Sequence, residues 1–186
     1  MKPAFPLVTA RLHLRPFTTE DTDDVLDYQR RADVARYMRW EPRDRAQCAQ
    51  AVAQMARETQ LQRAGDCLSL AVVLPEEGRV VGQVELVWLS EEHRQGEVGY
   101  VFNPRFQGRG LATEAAREAL RLGFDELGLH RVVGRCHARN TASAALLERL
   151  GMRREAHFVG TERFKGAWRE DYVYAMLRSE WQAARS

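Results

Sequence analysis

The sequence predicts an α/β protein, a mixed sheet with helices laid across it. Three observations carry this. Stretches such as VTARLHLRPF (8–17) alternate polar and apolar residues with the period of a strand. Stretches such as LATEAAREALRLGFDEL (111–127) return Ala and Leu at helical spacing. The two kinds follow one another as strand, helices, strands, helix, strand, helix and two strands, with no repeat, low-complexity tract or long linker between them. A chain of 186 residues suits one domain over 1–186 with a sizeable core.

In order, Val8 to Phe17 sets Arg11, His13 and Arg15 against Leu12 and Leu14, which predicts a single first strand with one wet face. Thr18 and Asp21 have capping-box spacing and open a helix through 19–31. ADVARYM (32–38) predicts a second short helix, and Pro42 ends or opens an element. From Asp44 to about Arg63, recurrent Ala, Val and Met predict a longer amphipathic helix covering the sheet. CLSLAVVL (67–74) and VVGQVELVWL (80–89) read as a hairpin around PEEGR. EVGYVF (97–102) is a strand after the polar loop SEEHRQG, and HRVVGRCHA (130–138) is another after the helix over 111–127. TASAALLERL (141–150) is a helix stopped by Gly151. REAHFVGTERF (154–164) and WREDYVYAML (168–177) close the chain as a hairpin about KGA.

Composition narrows the function classes. A hydrophobic fraction of 45% and a charged fraction of 29% are ordinary for a soluble globular protein. No apolar run approaches membrane-spanning length, and MKPAFPLVTARLHLRPF lacks the apolar segment of a secretory signal. Cys48, Cys67 and Cys136 are odd in number and widely spaced, which suits a reduced, cytoplasmic chain and offers no zinc spacing. A net charge of +2, with basic residues interleaved among acidic ones, gives no ground for nucleic-acid binding.

The chemistry concentrates in NPRFQGRGLATE (103–114), where a strand hands over to a helix. Unpaired N–H groups at a helix start point at anions, and the helix dipole reinforces them. Gly108 and Gly110 remove the Cβ atoms that would block a close approach. Arg105 and Arg109 add charge and Thr113 a hydroxyl, while Gln107 and Leu111 contribute backbone donors. Neither the GxGxxG fingerprint nor a GK[ST] P-loop is present. On the glycines alone, a plain tight turn with solvated arginines competes with this reading.

The wider stretch GEVGYVFNPRFQGRGLATEAAREALRLGF (96–124) closely resembles the central motif of the GCN5-related N-acetyltransferase superfamily, with Arg105-Phe106-Gln107-Gly108-Arg109-Gly110 as its core. HARNTASAALLERLGM resembles the motif that follows it, and LRPFTTED and WREDYVYAML resemble the branch holding the ribosomal-protein-alanine N-acetyltransferases. The resemblance spans nearly the whole chain. It implies a mainly antiparallel sheet, splayed at an acyl-coenzyme A site and flanked by helices. It implies acetyl-coenzyme A as co-substrate, with the pyrophosphate on Gln107, Gly108, Arg109, Gly110, Leu111, Ala112 and Thr113. The pantetheine arm would lie along Gly99, Tyr100, Val101 and Phe102, and Asn140 would contact it or act as a helix N-cap. A splayed strand leaves backbone groups that such an arm satisfies.

Acyl transfer to an amine needs a proton acceptor, a donor for the developing oxyanion and relief of charge on the leaving thiolate. The resemblance makes Glu97 the candidate base, with Glu85 second. A structural carboxylate paired with an arginine such as Arg94 is the alternative for Glu97. Strand alternation places Glu97, Gly99 and Val101 on one face, and Gly99 leaves room beside Glu97. Backbone N–H groups around Gly99 to Val101 are the expected oxyanion donors. Where many family members carry an acidic tyrosine, this chain has Leu147. Ser143 matches the serine that some members of the ribosomal-protein branch use instead, or it is a small residue allowing close helix packing. Trp40, Trp88 and Trp168 are candidate walls of an acceptor groove, and Glu41 a candidate attractor for a cationic amine. The expected acceptor is a protein N-terminus or small-molecule amine, and the protein is expected as a monomer or homodimer. A non-catalytic acyl-coenzyme A-binding or protein-interaction domain is the alternative function.

Overall fold

Eight strands form one sheet in the order β1-β2-β3-β4-β5-β6-β8-β7 in the computed structural model, which describes residues 1–185. They are β1 (Leu7–Val8), β2 (His13–Pro16), β3 (Cys67–Leu74), β4 (Arg79–Ser90), β5 (Gln95–Phe102), β6 (Arg131–His137), β7 (Arg153–Phe164) and β8 (Ala167–Leu177). Every neighbouring pair is antiparallel except β5 and β6, which run parallel. That pair is joined only over Gln95, Gly96 and Glu97 against Arg131, Val132 and Val133. Beyond those three rungs the sheet is splayed.

Among the described residues six α-helices flank it: α1 (Thr22–Gln29), α2 (Ala32–Ala35), α3 (Arg45–Met55), α4 (Leu111–Arg121), α5 (Thr141–Arg149) and α6 (Arg178–Ala183). The apolar stripe of α4, Leu111, Ala115, Ala116, Ala119 and Leu120, packs with α5 residues Leu146 and Leu147 on one sheet face, over Val84, Leu86, Val98 and Val132. Val25 and Tyr28 of α1 with Val52 and Met55 of α3 cover the other face, over Ala71, Val80 and Val101. The alternation expected for β5 therefore holds, with Val98 in one core and Val101 in the other.

Helix α5 sits at the opening itself. A Cβ on Gly134, the first β6 residue past the paired rungs, would lie 2.5 Å from Leu147 Cδ2. From the other bank, the Tyr100 hydroxyl reaches Ser143 Oγ at 2.9 Å. Each separated strand is thus tied to α5.

Three expectations need correction. The first strand is two, because the chain turns at Thr9, whose N–H donates to Leu12 O at 2.9 Å. Arg11 in that turn is drawn away from a strand course, its N–H donating to Glu114 Oε1 at 2.8 Å. Helix α3 stops at Met55, well short of Arg63. Leu61 is buried in the core on the α4 side while Val52 and Met55 face the opposite core, so one continuous helix could not serve both. The closing helix α6 was not expected; buried Trp181 anchors it, donating from Nε1 to Asp125 Oδ1 at 2.9 Å.

Candidate active site

The turn after β5 is held open from below. Buried Asn103 accepts from the Arg105 N–H at 3.1 Å and donates from Nδ2 to Asp27 Oδ2 at 2.8 Å. Gly108 and Gly110 have φ of +75° and +77°, a left-handed region that L residues enter only with strain. Gly110 is the N-cap of α4 and, having no side chain, leaves the first amides of that helix without a side-chain acceptor. Thr113 Oγ1 is buried with no hydrogen-bond partner. Open amides, two glycines and an orphaned hydroxyl fit an anionic ligand such as a pyrophosphate. Arg11 braces the turn from outside, donating from Nη1 to Arg109 O at 2.8 Å and pairing with Glu114 at 2.7 Å.

A cavity of about 770 Å³ runs from this turn to the splay. Tyr100, Val101, Phe102, Gln107, Gly108, Gly110, Leu111, Ala112, Thr113, Asn140 and Ser143 are among its lining residues. Arg109 is not, and Gly99 lines the neighbouring cavity. Asn140 caps α5, its Oδ1 accepting from the Ser143 N–H at 3.2 Å, while also lining both spaces.

The second cavity, about 940 Å³, lies between the sheet, α3 and the β7–β8 hairpin and holds both candidate bases, Glu85 and Glu97. The two cavities share Tyr37, Met38, Tyr100, Val101, Asn140 and Ser143. Glu85 is fixed by a buried amide chain. Arg43 donates to Gln29 Oε1 at 2.6 Å, Gln29 Nε2 to Gln83 Oε1 at 2.9 Å, and Gln83 Nε2 to Glu85 Oε1 at 2.7 Å. Tyr28 adds a second donor to Gln83 Oε1 at 3.0 Å, which fixes the orientation of that amide. Burial pushes the Glu85 carboxyl up, against the lowering effect of the Gln83 bond.

Glu97 is also pushed up by burial, and nearby Arg135 partly offsets this. Its partner is Arg135, Nε to Oε2 at 3.3 Å, in place of the expected Arg94; Arg94 sits at φ +47° in the turn before β5. The Arg135 side chain is more than half exposed, so this bridge is only weakly stabilising. Ser143 and Tyr100 form a hydroxyl pair, and Leu147 is buried against Gly134. Burial raises the Tyr100 phenol above its ordinary value.

Of the groove candidates, Trp40 lines the second cavity with Arg43 stacked 4.8 Å from its ring centroid. Trp88 packs against the core and donates to Ser90 O at 3.1 Å, and Trp168 is exposed on the closing hairpin; neither lines the cavity. Glu41 pairs with Lys165 at 3.3 Å and borders only smaller adjoining spaces. Arg11, Tyr37, Arg135 and the Tyr28–Gln29–Gln83 chain were missed. The carboxylate that holds Arg11 lies over a hundred residues away, and no local pattern marks it.

The acetyltransferase (GNAT) domain family matches residues 11–153. The chain belongs to this family. Its GNAT relatives include the uncharacterized N-acetyltransferase YnaD of Bacillus subtilis (strain 168), 31% identical over 94% of this chain and 98% of that protein. The crystal structure of an acetyltransferase (GNAT family) from Bacillus anthracis superposes with a TM-score of 0.83 at 31% identity, over 94% of this chain and 99% of the other. Two Escherichia coli (strain K12) relatives differ in their named substrates. Spermidine N(1)-acetyltransferase is 28% identical over 91% of this chain and 88% of its own length. [Ribosomal protein uS5]-alanine N-acetyltransferase is 25% identical over 98% and 96%. The mixed, mainly antiparallel sheet flanked by helices is the GNAT architecture.

Proposed function

We propose that this protein transfers an acetyl group from acetyl-coenzyme A to a primary amine by direct attack in a ternary complex. The observation that carries this reading is the meeting of two cavities at the splay, one ending on the glycine turn and the other holding Glu85 and Glu97. The amides from Gly108 to Thr113 and the Thr113 hydroxyl bind the pyrophosphate, whereas the Gln107 N–H, expected among them, is donated to Pro104 O at 3.3 Å; Tyr100 to Phe102 with Asn140 align the arm. When bound, the coenzyme supplies an acetyl thioester. Glu97 accepts the proton that the ammonium group must lose, and its raised carboxyl pKa suits that task nearer neutrality. Glu85 is the alternative acceptor, held in place by Gln83. The Tyr100 N–H, turned to the splay while Gly99 and Val101 pair with Glu85 and Gln83 of β4, stabilises the oxyanion, and Ser143 faces the leaving sulfur.

The acceptor is a protein N-terminus or a small-molecule amine, and a branch close to the ribosomal-protein-alanine enzymes is one reading of the terminal motifs. One observation favours a non-catalytic acyl-coenzyme A-binding reading, namely Leu147 standing where many members carry an acidic tyrosine. A thiol-release screen with acetyl-coenzyme A against peptides with free N-termini, polyamines, aminoglycosides and amino acids tests the enzyme. Turnover with one class is expected; coenzyme binding without thiol release from any of them would favour the non-catalytic reading.

A further inference from the structure

We propose that Tyr100 positions the Ser143 hydroxyl as a hydrogen-bond donor to the departing sulfur, so that β5 supplies the phenol that α5 lacks at Leu147. This rests on the acyl-transfer reading above. An acyl donor in one cavity and an acceptor in the other meet only among Tyr37, Met38, Tyr100, Val101, Asn140 and Ser143. Three of these carry hydroxyls. Tyr37 is engaged elsewhere, donating to Arg139 O at 3.1 Å. Tyr100 and Ser143 remain, and they are bonded to each other.

Their hydrogen-bond inventory bounds what the pair can donate. Tyr100 Oη lies 2.9 Å from Ser143 Oγ and 3.2 Å from Ser143 O. A carbonyl only accepts, so the phenol is the donor in that contact. In the Oγ contact either hydroxyl can donate; when the phenol proton lies on Ser143 Oγ, the serine proton is available to an anion, with the Cys136 thiol, also hydrogen-bonded to Ser143, as its competing partner. Asn140 Oδ1 accepts from the Ser143 N–H at 3.2 Å and fixes the backbone that carries the hydroxyl. Tyr100 lies among hydrophobic residues on the α4–α5 side of the sheet, so its rotamer is fixed by packing as well.

The step moves no proton through this pair. The carbon–sulfur bond breaks, its electron pair stays on sulfur as thiolate, and Ser143 and Tyr100 keep their protons. The amine nitrogen's lone pair forms the new bond to the carbonyl carbon; of the two protons that nitrogen gives up, the first leaves to the carboxylate before attack and the second to solvent as the amide forms. Burial lifts the Tyr100 phenol far above a thiol's ordinary pKa of about 8.5, so full transfer from it would be uphill, whereas hydrogen bonding costs no such transfer. The groups whose charge acts on Tyr100 are Cys136 from β6, Arg149 from α5 and Tyr174 from β8. The Cys136 thiol is itself pushed up to about 11, mainly by burial. Glu97 and Arg135 line the adjoining cavity.

The test titrates the thiol of bound coenzyme A by thiolate ultraviolet absorbance, and needs no acceptor. Wild-type protein should lower that pKa below the free value of about 8.5, because the pair bonds only the charged form strongly. Tyr100→Phe and Ser143→Ala should each raise it by roughly one unit, a tenfold change, and the double variant no further, since the two act as one unit. Ser143→Thr, which keeps a hydroxyl, should restore the wild-type value. Coenzyme affinity at mildly acidic pH, where the thiol is neutral, is measured alongside, so that a loss of binding is read separately from a change in thiol titration. A wild-type thiol pKa at or above the free value, or a Tyr100→Phe protein that titrates like wild type, would overturn the proposal while leaving acyl transfer standing. Failure of the wild-type protein to bind coenzyme A would overturn both.

Discussion

Replacing Gly108 or Gly110 by alanine separates the cost to the fold from the cost to the ligand. Both residues sit at positive φ, +75° and +77°, where an L residue is strained by about 1–2 kcal/mol. A Cβ on Gly108 would meet nothing within 4 Å, and one on Gly110 would meet only Arg11 Nη2 at 3.5 Å, an ordinary contact. Overpacking therefore adds nothing, and each variant should fold with a loss near 1 kcal/mol, about 2–4 °C in Tm for a chain this size. The added methyl stands beside the amides that would hold a pyrophosphate. Coenzyme A affinity should fall at least tenfold, about 1.4 kcal/mol or more, while affinity for a pantetheine analogue without phosphates should hold. Calorimetry with both ligands reads the difference. Unchanged coenzyme affinity in both variants, or equal losses for the two ligands, would refute a phosphate site at this turn.

Other expectations follow from the same geometry. With an acceptor in hand, Glu97→Gln should lower kcat/KM by roughly 10² near neutral pH. The defect should shrink as pH rises and more amine arrives deprotonated; an equal loss at every pH, with weakened coenzyme binding, would mark Glu97 as structural and move the base to Glu85. Gly134→Ala should cost about 1–3 kcal/mol in denaturant unfolding, because its Cβ would lie 2.5 Å from Leu147 Cδ2 and buried Leu147 has nowhere to retreat. A loss below about 0.5 kcal/mol would show that α5 slides freely over the splay. Burial alone would raise the Asp21 carboxyl, but the bonds from Arg15 and Thr18 outweigh it and hold the pKa below the ordinary value. A depressed folded-state pKa gives stability that is present above the unfolded value of about 3.9 and lost as pH falls through the folded one. Asp21→Asn should thus cost about 2 kcal/mol at neutral pH and flatten the acid limb of the stability curve; an unchanged limb would contradict this.

The elements most legible in the sequence were those whose period and punctuation agree. Strand β3 matches CLSLAVVL residue for residue, and α5 begins after Asn140 and ends before Gly151, at φ +88°. Helix α3 was overextended because its glutamine-rich continuation keeps helical spacing, while tertiary burial of Leu61 takes the chain elsewhere. Among candidate site residues, the turn from Gln107 to Thr113 and the strand from Gly99 to Phe102 stood out as contiguous motifs. What escaped was everything fixed by long-range pairing: Arg11 under the glycine turn, Arg135 beside Glu97, and the amide chain behind Glu85. Arg11 and Arg135 lie far from their mates in sequence, as do Tyr28 and Gln29 from Gln83, so no local period records these links; only Gln83 and Glu85 are close, two residues apart on one strand.

The sheet behaves as a partition with one doorway. The β5–β6 rungs stop at Glu97 and Val133, and the rooms on either side share only six residues at the threshold. On the proposed function, walls that are otherwise separate would let each visitor arrive and depart without displacing the other. Such a plan has no use for parking the acyl group on the protein between visits, although Cys136 and Ser143 both stand near the threshold. Initial-rate lines for the two substrates should accordingly intersect, as for a chemical hand-over made face to face, with neither guest obliged to leave first.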